Sequence, residues 1–159
     1  MIKASVLGAT GYAGIELVRL LYVHPQVELI HLVSQSFADQ PVSSVYPNFK
    51  GIFNRTCSRL DIDLISKESD IIFTSLPHGT SDQIIPVLYE RGNRIIDLSG
   101  DFRYKSAEIY EKWYGTRHTC PDLLEISIYG LPELYREQIK QARLIGNPGC
   151  YPTSALLAL

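Results

Sequence analysis

A chain of 159 residues with 45% hydrophobic and 20% charged content has the make-up of one ordinary globular domain, long enough to bury a core. Its formal net charge of −2 and its lack of any basic stripe argue against nucleic acid or an anionic membrane as a partner, and no apolar run has the length of a membrane span. Cys57, Cys120 and Cys150 form no CxxC pair and are odd in number, which argues against a disulfide framework and for a reducing, cytoplasmic setting.

The first residues, MIKASVLGATG, lack the apolar stretch and cleavage site of a signal peptide and read at once as a strand, Ile2 to Leu7, and a turn. A helix follows from about Gly14 to Val23, because Ile15, Leu17, Val18, Leu21 and Tyr22 recur at helical spacing, and Pro25 marks its end. Val27 to Val33 reads as a second strand. Residues 34 to about 56, rich in Ser, Pro, Asn and Gly, read as a long surface loop, a kind of segment more often functional than filler. DIIFTSLP, from Asp70 to Pro77, is a buried strand. SDQIIPVLYERG is a helix with Ser81 as its cap, Gly92 as its stop and a kink at Pro86. Arg94 to Leu98 is a strand, the aromatic stretch from Tyr104 to Tyr129 gives no clear pattern, Pro132 to Ile139 is a short helix, and Arg143 to Ile145 a short strand. Strands alternating with helices predict an α/β, doubly wound Rossmann-type parallel sheet.

Two places carry chemistry. Gly8, Gly11 and Gly14 are spaced as a GxxGxxG turn between a strand and an amphipathic helix, where glycines let backbone N–H groups approach a pyrophosphate. An ordinary tight turn is the alternative. After the second strand come Ser34, Gln35 and Ser36, with no carboxylate before Asp39; neutral donors there favour NADP(H) over NAD, unless they are merely loop polar residues. The second place is Cys150, behind Pro148 and Gly149 at the mouth of the helical run PTSALLAL. A helix N-terminus stabilises a thiolate and the oxyanion formed when that thiolate attacks a carbonyl. A buried apolar cysteine is the alternative, and it is the one adopted for Cys57 and Cys120. A nicotinamide site joined to a poised thiol spells hydride transfer to a thioester. No metal site is expected.

GATGYAGIELVRLL, SLPHG (Ser75 to Gly79), DLSGDFR (Asp97 to Arg103), YGLPEL (Tyr129 to Leu134) and GNPGCYPT (Gly146 to Thr153) together resemble the N-acetyl-γ-glutamyl-phosphate reductase family. The resemblance runs across nearly the whole chain and about the first half of the family's length. It implies an NADPH-dependent enzyme of arginine biosynthesis with a Rossmann domain, here 1–149, and a second α/β catalytic domain absent from this chain, of which 150–159 hold the cysteine and the start. By the same resemblance Cys150 is the nucleophile that displaces phosphate from the acyl phosphate. Gly8, Thr10, Gly11, Tyr12 and Gly14 form the pyrophosphate turn, Ser34 and Ser36 the 2′-phosphate region, and Pro77, His78 and Gly79 a segment passing the cofactor. Arg103 corresponds to a phosphate-holding position, with a surface ion pair as its alternative, and Asn147 orients the acyl group.

Gln35 departs from the family, which often has arginine there, and this weakens the NADP assignment; Gly100 stands where alanine is common. The family's general acid/base histidine lies beyond Leu159, and His24, His31 and His118 are expected to be plain surface or core residues. The resemblance also implies a homo-oligomer. On this reading the isolated chain binds cofactor with little or no turnover and leaves Leu156, Leu157 and Leu159 uncovered. Reductases of carrier-bound aminoadipyl phosphate or of aspartyl phosphate stay open as alternatives, as does a non-catalytic NADP-binding or thiol redox-sensing module.

Overall fold

The computed structural model describes residues 1–159, which divide into two compact units, Met1–Ser75 and Leu76–Leu159. In the first unit, strands β1 (Ile2–Leu7), β2 (Val27–Val33) and β3 (Ile71–Thr74) run parallel in the order β2-β1-β3. Ala4 to Leu7 are almost wholly buried, as a central strand covered on both faces must be. Helix α1 (Tyr12–Tyr22) turns Gly14, Ile15 and Val18 inward, ends at the cap residue Val23, and leaves Pro25 just outside.

The long segment after β2 is not a surface loop. It forms helix α2 (Val42–Val45) and a 3₁₀ turn (Pro47–Phe49), and it sends Val42, Phe49, Phe53 and Cys57 into the core with Ile15, Val18 and Leu32. Phe53 packs edge-on against Tyr22, ring centroids 4.8 Å apart. These four anchors keep a helix-like spacing, but Pro41, Pro47 and Gly51 interrupt the run, and the polar composition between the anchors masked their burial. Helix α3 (Ile62–Glu68), also unanticipated, is capped by Asp61, whose carboxylate accepts the Leu64 N–H at 3.0 Å.

The second unit holds β4 (Arg94–Asp97), β5 (Ile128–Tyr129) and β6 (Leu144–Gly146), parallel in the order β4-β6-β5. Helix α4 (Ser81–Glu90) precedes β4, and Gly92, at φ +94°, ends it as the sequence predicts. Ser81 is not its cap: Thr80 holds that place, and the Ser81 hydroxyl is buried without a hydrogen-bond partner. Pro86 lies inside α4 and supplies no N–H to the Asp82 carbonyl one turn earlier. That carbonyl instead accepts from Thr119 Oγ1 and Cys120 Sγ, each at 3.3 Å. The aromatic stretch folds into α5 (Ala107–Tyr114), capped by Ser106, and α6 (Pro121–Ile126); α7 (Pro132–Gln141) follows β5, and α8 (Cys150–Ala158) follows β6. Each unit thus repeats parallel strands joined through helices, the scheme of a doubly wound α/β domain. No helix is long and apolar enough to cross a membrane.

Candidate active site

In the first unit, the glycine turn has the geometry that a pyrophosphate cradle demands. Gly8 takes φ +83°, and a methyl group on Gly14 would overlap the Gly8 carbonyl, so the helix start packs on the turn only because both are glycine. Gly11 is the extended N-cap of α1 and makes no side-chain cap bond, so the first N–H groups of that helix, from Tyr12 onward, have no partner within the helix. Thr10 is fixed from two sides: its carbonyl accepts the Tyr46 hydroxyl at 2.8 Å, and its hydroxyl pairs with Ser34 Oγ at 2.7 Å. Ser34 is buried and also accepts the Phe37 N–H at 3.2 Å, whereas Ser36 is exposed. These residues fit a bound dinucleotide. Tyr46 was not foreseen, because nothing near it in sequence points to the turn.

In the second unit, the DLSGDFR stretch folds into a loop organised by two fully buried carboxylates. Asp97 accepts from the N–H groups of Ser99, Gly100 and Phe102 and from the Ser99 hydroxyl, the last at 2.7 Å. Asp101 accepts the Gly79 N–H at 3.0 Å and the Tyr110 hydroxyl at 3.0 Å, and its Oδ1 lies 3.2 Å from His78 Nδ1. Burial, with Asp101 adding to it, pushes Tyr110 up to about 12. Asp101 therefore ties Pro77-His78-Gly79 to the loop. Sequence reasoning missed it, although an acid placed two residues before Arg103 in that motif was the available signal.

Gly100, at φ +98°, brings three sequence-selected groups to one point. A methyl there would lie 2.8 Å from both Arg103 Cζ and His78 Cε1, and one on Gly149 would lie 3.2 Å from Arg103 Nη1. Arg103 is half-buried rather than a surface residue, with Nη1 3.5 Å from Tyr114 Oη and its Nε buried without a hydrogen-bond partner. Gly149 is the extended N-cap of α8, Cys150 is that helix's first residue, and its side chain is exposed. The guanidinium thus stands beside the residue that introduces the thiol. Asn147 continues β6: its N–H donates to the Asp97 carbonyl at 2.7 Å and its Nδ2 to the Pro148 carbonyl at 3.1 Å. Gly146 admits the loop, since a methyl there would overlap the Phe102 carbonyl.

The other candidates sort simply. Cys57 is core, and burial pushes its thiol up. Cys120 is only partly buried and serves as the N-cap of α6. His118 is a core residue packed edge-on against Phe102 and Tyr110, and burial pushes it down from the usual histidine value, opposed by Asp82 and Asp101. His24 is exposed, and His31 Nε2 lies 2.8 Å from Glu68.

The model of the semialdehyde dehydrogenase NAD-binding domain matches residues 3–142. The chain belongs to that family. It is 55% identical over 159 residues to the N-acetyl-gamma-glutamyl-phosphate reductase of Acetivibrio thermocellus, covering 100% of this chain and 46% of that protein. It therefore spans about half the length of the curated relatives it matches. Aspartate semialdehyde dehydrogenase II of Vibrio cholerae superposes on 100% of this chain and 41% of its own, with a TM-score of 0.69 and 20% identity. The aspartate semialdehyde dehydrogenase of Candida albicans, solved with NADP, covers 67% of this chain and 32% of its own at a TM-score of 0.58 and 22% identity. The likeness in fold supports the doubly wound, Rossmann-type reading of this chain.

Proposed function

We propose that the protein reduces N-acetyl-γ-glutamyl phosphate to N-acetylglutamate semialdehyde with NADPH, in the cytoplasm, as a step of arginine biosynthesis. The observation that carries this is Cys150 opening α8 with the Arg103 guanidinium against its cap residue, Gly149. The relatives' name supplies the substrate.

The Cys150 thiolate attacks the acyl carbon. The carbon–oxygen bond to phosphate breaks, phosphate leaves with the bonding pair, and a thioester to Cys150 forms. Arg103 holds the departing phosphate, a task its planar fork suits. The free N–H groups at the start of α8 stabilise the oxyanion, and Asn147 orients the acyl group. When bound, the dinucleotide would supply a hydride to the thioester carbon, after which the carbon–sulfur bond breaks, freeing the semialdehyde and restoring the Cys150 thiolate. Gly8, Thr10, Gly11, Tyr12 and Gly14 receive its pyrophosphate, Ser36 lies toward its adenosine end, and Pro77, His78 and Gly79 pass alongside it with His78 oriented by Asp101. Residues 1–149 act as the cofactor domain, and 150–159 begin the catalytic one. Taken alone, these 159 residues bind cofactor with little or no turnover.

The test is the reverse reaction: NADP reduction with N-acetylglutamate semialdehyde and phosphate, beside an NADPH-binding measurement, for the chain and for Cys150→Ser. Phosphate-dependent reduction abolished by the substitution supports the chemistry and overturns the claim of inactivity alone. NADPH binding without reduction fits the proposal as stated. Neither binding nor reduction sinks it.

A further inference from the structure

Given a dinucleotide reductase, one edge of the first unit bears on which dinucleotide it takes. In this fold the adenosine ribose meets the end of the second strand, where a carboxylate grips a bare 2′-hydroxyl and a nearby arginine accommodates a 2′-phosphate. β2 ends at Val33. Of the residues that follow, Ser34 is buried with its hydroxyl held by Thr10 Oγ1 and the Phe37 N–H, while Gln35 and Ser36 are exposed and uncharged. None of them brings a cation.

The charge at this edge comes from a distant part of the chain. Val33 forms a parallel bridge with Ser58, and the Ser34 N–H donates to the Ser58 carbonyl at 3.1 Å. Arg59 therefore follows directly on the residue bonded to Ser34. Its side chain is 83% exposed, and its Nε lies 3.5 Å from Asp39 Oδ2, whose side chain is 75% exposed. Asp39 is held in place by its backbone: its N–H donates to the Cys57 carbonyl at 2.8 Å, and it is the one non-glycine residue at positive φ, +65°. An arginine and a carboxylate thus stand side by side at the end of β2, and they favour opposite ligands.

We propose that Arg59 selects NADP(H), exchanging its exposed partner Asp39 for the ribose 2′-phosphate. An exposed ion pair at this distance is weak and screened by solvent, so little holds the guanidinium to Asp39. A phosphate monoester carries close to two negative charges and accepts both arms of the guanidinium fork. The same swing removes the positive charge that keeps Asp39 paired, and Asp39, now unpaired, faces water rather than the phosphate. Arg59 is far from Cys150 in sequence and has no part in the acyl transfer, so its effect belongs to cofactor choice.

The inference rests on the dinucleotide reading, and the test separates the two. Binding of NADPH and of NADH, followed by nicotinamide fluorescence at low and moderate salt, is compared for the protein and for Arg59→Ala, Arg59→Lys and Asp39→Asn. The expected result is tighter binding of NADPH than NADH. Arg59→Ala weakens NADPH about tenfold or more and leaves NADH within about twofold, which also reports an intact fold. Arg59→Lys restores part of the loss, since a point charge replaces the fork, and Asp39→Asn tightens NADPH by roughly threefold. Equal weakening of both dinucleotides by Arg59→Ala, or of neither, overturns the role of Arg59 while the reductase reading stands. A preference for NADH that Asp39→Asn abolishes also overturns it and makes Asp39 the ribose ligand. Failure of the unaltered protein to bind either dinucleotide overturns both readings together.

Discussion

The two units bury different things. In Met1–Ser75 the interior is hydrocarbon, with Val6, Ile15, Val18, Leu32, Val42 and Phe49 around β1, and its polar groups come in neutral pairs such as Ser5 with Ser69 at 2.7 Å. In Leu76–Leu159 the interior holds Asp82, Asp97, Asp101 and His118, and Ser81 Oγ, Asp82 Oδ1 and Arg103 Nε are buried there without hydrogen-bond partners. Buried charge costs stability unless it is bonded, and dipoles fixed in advance are what a charge-developing reaction uses. The difference teaches a division of labour. The first unit is a platform that shapes one backbone turn, and the second keeps an expensive polar interior of the kind the proposed acyl transfer would use.

The sharpest way to break this comparison is Cys150→Ser. Because Cys150 is exposed, the substitution is expected to leave the melting temperature unchanged while abolishing the release of phosphate from N-acetyl-γ-glutamyl phosphate, measured by a phosphate assay. Asp101→Ala comes next. It strands the Tyr110 hydroxyl and the Gly79 N–H and is expected to cost about 3 kcal/mol in a urea melt. Ser5→Ala, in the first unit, is expected to cost about 1 kcal/mol in the same melt. Equal costs would erase the distinction between the units. Gly14→Ala forces the start of α1 off the Gly8 carbonyl and is expected to cost about 2 kcal/mol and to weaken NADPH binding, read by calorimetry.

The smallest effect is a pH limb. Folding keeps Tyr110 protonated up to about 12, while a tyrosine in the unfolded chain ionises near 10. Between those values the unfolded state binds fewer protons, so stability is expected to fall as pH rises from about 10 to 12. Tyr110→Phe should remove that part of the alkaline melting curve.

How legible this was depended on whether structure followed local pattern. β1, α1 and β2 could be read because their apolar residues keep strand or helix periods, and Cys150 at the mouth of α8 because Pro148 and Gly149 punctuate it. The segment after Val33 could not, since Val42, Phe49, Phe53 and Cys57 reach the core from polar surroundings broken by Pro41, Pro47 and Gly51. The placements of Asp101, Tyr46 and Arg59 were hidden for another reason. Each is placed by a hydrogen bond or bridge to a residue distant in sequence, Gly79, Thr10 and Ser34 by way of Ser58, and no local spacing encodes such a contact. Arg103 was marked as a candidate for the phosphate only by resemblance; its closeness to Gly149 is a property of the loop that Gly100 turns.

The account stands most directly on acylation of Cys150. The measurement is intact-protein and peptide mass spectrometry after mixing the protein with N-acetyl-γ-glutamyl phosphate in the absence of dinucleotide, with released phosphate assayed in parallel. The predicted result is one N-acetylglutamyl group on Cys150, released by hydroxylamine as a thioester is, with one phosphate freed for each group attached and none in Cys150→Ser. Phosphate release with Cys150 unmodified, or equal labelling of the Cys150→Ser protein, would contradict it.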